Sequence, residues 1–187
     1  LRRGTIVDIV AMLIGLAGQT IANFWLALML ILLFSVKLQW FPVSGDQDGI
    51  KSLVLPAFSL SVWLLGLLAR MTRSSMLEVM GEDFIRTARA KGLSEQGIVV
   101  RHALRHVLAP LVTVIGLSMG WQLGGAVVIE SVFAWQGVGT LLLDAVLKRD
   151  YPVVLAATTV LAIVFIGLNL LTDLLYPIID PRVRKSG

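Results

Sequence analysis

The stretch YPVVLAATTVLAIVFIGLNLLT, residues 151–172, runs from Asp150 to Asp173 without a charged side chain. A helix needs about 20 apolar residues to cross the hydrocarbon core of a bilayer. Backbone groups in lipid must be satisfied within the segment, so a Leu/Ala/Val-rich run of this length closes its hydrogen bonds as a helix. Three more uncharged runs precede it, at residues 107–129, 52–69 and 9–36. The chain therefore reads as all-α, a polytopic transmembrane bundle with spans at about 14–36, 52–70, 107–129 and 152–174. The first run is longer than a span requires and reads as one tilted span or as an interfacial helix leading into one.

Composition agrees. Of the 187 residues, 57% are hydrophobic and 15% charged, and the mean hydropathy of +0.86 is too high for a water-soluble surface. Neither a linker nor an internal repeat divides the sequence, so residues 1–187 read as a single domain. The first residue is Leu1 rather than methionine, and no leader precedes the first apolar run; the expectation is a fragment with an earlier span upstream. Cysteine is absent, which excludes disulfides and thiolate metal sites and says nothing of compartment.

The net charge of +4 raises nucleic acid as a partner, but the basic residues sit in the connections between runs. Arg2, Arg3, Arg70, Arg73, Arg86, Arg89, Lys91, Arg101, Arg105, Arg182, Arg184 and Lys185 fall on the side shared by the termini and the middle loop. Lys37, Lys51, Lys148 and Arg149 fall on the other. This asymmetry is a topology signal that places the termini and the 71–106 loop in the cytoplasm, and no nucleic-acid partner is expected. Trp40 and Phe41 at the outer end of the first span, with Tyr151 and Tyr176 bracketing the last, read as interfacial anchors. The turn formers of Phe41-Pro42-Val43-Ser44-Gly45, followed by Asp46 and Asp48, read as a short outer loop. The second outer connection holds an apolar stretch at 141–147, too short to cross, that reads as a helix dipping into the outer mouth.

The cytoplasmic loop carries the most information. Glu82 or Asp83 starts a helix, Ala88 and Ala90 favour it, Gly92 ends it and Ser94 starts another. The expected result is a helix–Gly–helix hairpin with Phe84, Ile85, Ala88 and Leu93 available to pack on another surface.

At Arg86-Thr87-Ala88-Arg89-Ala90-Lys91-Gly92-Leu93-Ser94 the chain resembles the permease subunits of binding-protein-dependent ABC importers. More narrowly, it resembles the first permease of the dipeptide/oligopeptide/nickel group, whose cytoplasmic "EAA" loop docks a coupling helix on the ATPase. Further matches are Arg3-Gly4, Asp8, Asn23-Phe24-Trp25, Phe41 to Gly45, Leu55-Pro56, Glu130-Ser131-Val132-Phe133 with Gly137 and Gly139, Arg149-Asp150, Asn169 to Asp173, Tyr176, and Asp180-Pro181-Arg182. They cover nearly the whole chain in order. Two departures, Arg86-Thr87-Ala88 for Glu-Ala-Ala and Leu104-Arg105 for Leu-Pro, are typical of the peptide/nickel branch. A third, Ala22-Asn23 in place of a proline, leaves the kink of the first span without its usual residue.

The resemblance implies a permease in a bacterial-type plasma (inner) membrane, passing peptides or a related small solute such as nickel. Its partners would be ATP-binding subunits, a second homologous permease, an external binding protein and the lipid bilayer. Phe84, Ile85, Ala88 and Leu93 would give apolar contact to the ATPase, Arg86, Arg89 and Lys91 would meet its acidic or polar groups, and Gly92 would set the hairpin angle. No phosphate-cradling Gly-x-x-x-x-Gly-Lys-Ser/Thr occurs, so ATP and magnesium belong to the partner, and the chain is expected to hold no cofactor or metal and to be no enzyme.

Two other classes fit less well. An ion-coupled secondary transporter would carry ionisable groups inside its spans, whereas the polar residues there are Asn23, Gln122 and Asn169, read as interhelical hydrogen-bonding groups. An intramembrane hydrolase could use His102 and His106, one helical turn apart, but Ala103 stands where a metalloprotease needs glutamate. Ser74-Ser75 and the Asp144/Asp150 pair lack an activating base. Glu130, where the third span meets the outside, reads either as a cap or partner of Lys148 or Arg149, or, with Phe133, as a gate or binding-protein contact. Asp173 reads as snorkelling or pairing with a basic residue of the loop.

Overall fold

A computed structural model describes residues 6–45 and 49–179. Arg2, Arg3, Gly4, Asp46, Asp48, Asp180, Pro181, Arg182, Arg184 and Lys185 lie outside the described residues, as do the side chains of Asp8 and Tyr176. The elements in order are α1 (Ile6–Thr20), α2 (Asn23–Lys37), α3 (Ile50–Val79), α4 (Asp83–Ala90), α5 (Glu95–Val132), α6 (Val138–Leu147) and α7 (Tyr151–Ile179). Only helices occur among the described residues. Three stretches are long and apolar enough to cross a membrane: Ile50–Val79, Glu95–Val132 and Tyr151–Leu174.

The first apolar run is not one helix. The chain breaks at Ile21–Ala22, where Ala22 takes an extended backbone (ψ 131°), so of the two readings of this run a single continuous helix over 14–36 gives way to two pieces. At about 1.5 Å per residue, the described part of α1, with 15 residues, is about 22 Å long. Thr20, Ile21 and Asn23 are weak helix formers gathered at one point, and the Thr20 hydroxyl donates back to the Leu16 carbonyl (2.8 Å). The break thus forms without a proline. Both pieces still follow α3 in antiparallel order, with Gly15 and Gly18 beside Gly66 and Val62, and Ala27 and Leu30 beside Leu55. The second half of α2, Ile31–Lys37, is wound as a π-helix, and Ser35 donates to the Pro42 carbonyl (3.0 Å), folding the outer loop back onto it.

Helix α5 is central, packed against α2, α3, α6 and α7. Its contacts depend on small residues and one polar bond. A Cβ at Gly116 would come within 2.8 Å of Thr172 Cγ2, and one at Gly120 within 2.6 Å of Phe165 Cε2, so α7 sits against bare backbone. Gln122 Nε2 donates to the Leu60 carbonyl of α3 (3.1 Å), the interhelical role expected of it. Such contacts weigh heavily in a membrane, where packing replaces hydrophobic burial between helices. At 30 residues, α3 is about 45 Å long and outruns a hydrocarbon core of about 30 Å. Its last turns, from Arg70 to Val79, carry the charged residues Arg70, Arg73 and Glu78 and pack with the 83–106 segment.

Gly120→Val should lower the stability of the full-length protein in detergent by about 1–3 kcal/mol, because Phe165 must move. Gly124→Ala should not lower it and should gain up to about 1 kcal/mol from helix propensity, since nothing lies within 4 Å of a Cβ there. Thermal unfolding of both variants checks the contrast.

Candidate functional site

The two ends of α5 carry the two candidate sites. At its N-terminal end, Gly92 takes φ +75°, a value that favours glycine, and closes α4 with bonds from Gly92 N to the Arg89 carbonyl (2.9 Å) and from Leu93 N to the Ala88 carbonyl (3.4 Å). That pair of bonds is the ordinary way a helix ends on a glycine. Ser94 then caps α5, its hydroxyl accepting from Gly97 N (3.2 Å). Stop and start fall where the sequence puts them. Between the cap and the straight span, Ile98–Ala103 is wound as a π-helix, a feature with no signal in the residue types.

The hairpin has an inner and an outer face. Ile85 is fully buried and Ala88 nearly so, packed among Met76, Ile98, Ala103, Val107 and Leu111. The expectation that these two residues present themselves to a partner is therefore corrected: they fasten α4 to the ends of α3 and α5. Phe84, Arg86, Lys91 and Leu93 are exposed. Phe84 also lies against the His106 ring, 4.8 Å between centroids and tilted by 48°. Among the described residues no His/Cys/Asp/Glu group is arranged to hold a metal ion.

Arg89, counted with the partner-facing cations, bonds to Glu95 across the turn (Nε to Oε1, 2.7 Å). The Arg89 hydrogen bond holds the Glu95 carboxyl below its ordinary range. The pair thus favours the closed hairpin at neutral pH, and the effect fades as pH falls through the carboxylate range. Both side chains are solvated, so the contribution is small. Arg86 pairs with Asp83 at 3.4 Å, also in solvent.

At the opposite end, Glu130 is half-buried and turned toward α6. Its Oε2 accepts from Thr140 N (2.7 Å), in the first turn of α6, where a carboxylate also meets the positive end of the helix dipole. Gly137 and Gly139 make room for it: a Cβ at Gly139 would lie 2.9 Å from Oε2, and one at Gly137 would collide with the carboxylate. The spacing of Glu130, Gly137 and Gly139 is thus one device, a cap with its socket. Phe133 is buried with Ala27, Leu30, Leu55 and Ile129, and its carbonyl accepts from Gly45 N (2.9 Å). Phe133, read with Glu130 as a gate or binding-protein contact, is turned inward and locks the outer loop to α5. A cavity of about 820 Å³ opens beside the cap, lined by Glu130, Ser131, Trp135, Gln136, Thr140 and Asp144 among others. Asp173, near the other end of α7, is exposed.

The profile of the family described as binding-protein-dependent transport system inner membrane component matches residues 1–185. The chain belongs to that family. Among curated relatives, the di/tripeptide transport system permease protein DppB of Pseudomonas aeruginosa is 43% identical, covering 100% of this chain and 63% of its own length. The oligopeptide transport system permease protein AppB of Bacillus subtilis is 44% identical over 89% of this chain and 56% of its own. The dipeptide transport system permease protein DppB of Escherichia coli is 42% identical over 99% and 63%. The chain spans about three fifths of the length of these relatives. Within this inner-membrane family, the apolar helices are those of an integral membrane protein.

Glu130→Ala should destabilise the protein by about 0.5–2 kcal/mol through the lost cap and speed amide exchange over 138–147. Glu130→Gln keeps an acceptor and should sit nearer the unaltered protein. Hydrogen–deuterium exchange of the full-length protein in detergent checks both.

Proposed function

We propose that this chain is the membrane-spanning part of a permease subunit in an ATP-driven importer of short peptides, and that it couples to a separate ATPase through the 83–105 hairpin. The observation that carries the reading is the family match over residues 1–185, joined to relatives at 42–44% identity named as dipeptide and oligopeptide permeases. An ion-coupled carrier would hold ionisable groups inside its spans, and the runs at 52–69, 107–129 and 151–172 carry no Asp, Glu, His, Lys or Arg.

The hairpin geometry divides the labour. Phe84, Arg86, Lys91 and Leu93, on the exposed face, meet the ATPase; ATP and magnesium stay on that partner. Ile85 and Ala88, on the buried face, carry the resulting motion into α3 and α5 together, because close-packed contacts transmit displacement rather than absorb it. Gly92 keeps the two arms of the hairpin at a fixed angle. The cytoplasm is the side of this loop, as its Arg and Lys content favours, and four traverses of the membrane result if α1 and α2 are taken as one broken span. A second homologous permease completes the path, and an external binding protein delivers the solute at the Glu130 end. Peptides are preferred to nickel because the matched relatives carry peptide names.

The test is affinity purification of the full-length protein from native membranes, alongside a Lys91→Glu/Leu93→Asp variant that alters only exposed positions. The ATPase and a second permease should accompany the unaltered protein, and the ATPase alone should be lost from the variant. Retention of the ATPase by the variant would remove these residues from the docking face. Absence of an ATPase from the unaltered protein would end the importer reading.

A further inference from the structure

Helix α5 is surrounded by four neighbours, yet one side of it is open. Thr113, Leu117, Trp121, Gly124 and Val128 are exposed, and the residues on either side of each are half-buried or buried. Steps of four, four, three and four residues place them on one face of the helix. The opening is therefore a stripe one side chain wide, continued by His106 at the hairpin end and by Ser131 at the outer cavity. Its lower end touches Phe84 through the His106 ring, and its upper end enters the 820 Å³ cavity.

The exposed surface of α7 is of another kind. There two or three consecutive residues are open in each turn, as at 162–164 and 170–171, and the large side chains presented include Leu155, Ile163, Ile166 and Leu170. The hydroxyls of Thr158 and Thr159 on that surface are returned to their own backbone. A broad apolar face with its polar atoms satisfied suits hydrocarbon. The α5 stripe differs from it in width and in the depth of its aromatic residue, not in its hydroxyls, since Thr113 and Ser131 also donate to their own backbone at Ala109 and Val127. Trp121 is 77% exposed about 12 Å inward from the outer end of the uncharged run, whereas an indole facing lipid settles at the interface, where its N–H stays wet. Gly124, three residues on, adds open space on the same face, with nothing within 4 Å of a Cβ built there.

We infer that the Thr113–Leu117–Trp121–Gly124–Val128 stripe is the wet wall of the solute path, with Trp121 as the side chain that a passing peptide meets at mid-depth. This rests on the importer reading and deepens it by assigning the path to one helix face. The indole offers an apolar plane and a single donor, so it tolerates varied side chains while engaging the peptide's carbonyl groups. Mechanical input reaches the same helix, since Ile98, Ala103 and Val107 of α5 hold Ile85.

The chain contains no cysteine, so single-cysteine scanning is direct. In a cysteine-free form of the full-length protein, assembled with its partners in membrane vesicles, Thr113→Cys, Leu117→Cys, Trp121→Cys and Gly124→Cys are compared with Ile163→Cys, Ile166→Cys and Leu170→Cys. The probe is a membrane-impermeant trimethylammonium methanethiosulfonate. Thiols on α5 should react about tenfold or more faster than those on α7, because a thiol held in hydrocarbon stays protonated and unreactive. Equal reaction on both helices overturns the inference. So does protection of all seven positions, which would mean that a second permease or another protein segment seals the stripe. Co-purification of the ATPase is scored on the same preparations: a dry stripe in an intact complex overturns the path wall alone, while absence of the ATPase from the cysteine-free parent overturns the reading beneath it.

Discussion

The side chain of Ile85 sits fully enclosed between the last turns of α3 and the first turns of α5. An eight-residue helix such as α4 has no stability of its own in water, so its position is set by what it buries. With Ile85 and Ala88 seated on Met76, Ile98 and Val107, the hairpin is an extension of the bundle rather than a tether hanging from it. Gly92, the Ser94 cap and the Arg89–Glu95 pair then only need to shape the turn. The outward aspect of Phe84, Arg86, Lys91 and Leu93 follows from the inward aspect of Ile85.

From that anchorage the rest of the molecule can be followed along α5. The helix leaves the hairpin through a π-wound segment, passes between α3 and α7 on bare glycine backbone, and ends at Glu130, whose carboxylate seats α6. Phe133 fixes the outer loop to the same end. One continuous helix thus joins the hairpin to the outer cavity. The break at Ile21–Ala22 lies off this line, in the pair of short helices that run beside α3.

Much of this was legible in the residues. The apolar runs at 107–129 and 151–172 lie within α5 and α7 because lack of charge over a bilayer's thickness is a one-dimensional signal. Gly92 and Ser94 mark the hairpin turn because backbone conformation and capping are local. The faces of α4 were not legible: Phe84, Ile85, Ala88 and Leu93 are all apolar or small, and which of them turns inward depends on Met76 and Val107, distant in sequence. Glu130 could be suspected of capping, but its socket at Gly137 and Gly139 needs the reversal of the chain after Phe133. Trp121 and Ile163 both lie in uncharged runs, and only the neighbours packed around them distinguish a narrow stripe from a broad face. The helix break without proline has the same origin, since three modest preferences at Thr20, Ile21 and Asn23 are individually unremarked.

The claim that the Ile85 contact carries motion from the ATPase into the membrane is tested most directly by the ratio of peptide taken up to ATP hydrolysed. The measurement uses proteoliposomes of the full-length protein with its partner subunits and compares Ile85→Ala with the unaltered protein. The substitution opens a cavity costing about 2–5 kcal/mol at the hairpin's attachment and leaves its outward residues in place. The account predicts that ATP hydrolysis by the partner persists while peptide uptake per ATP falls sharply. An unchanged ratio would contradict it, because the hairpin would then be driving the bundle through some contact other than this one.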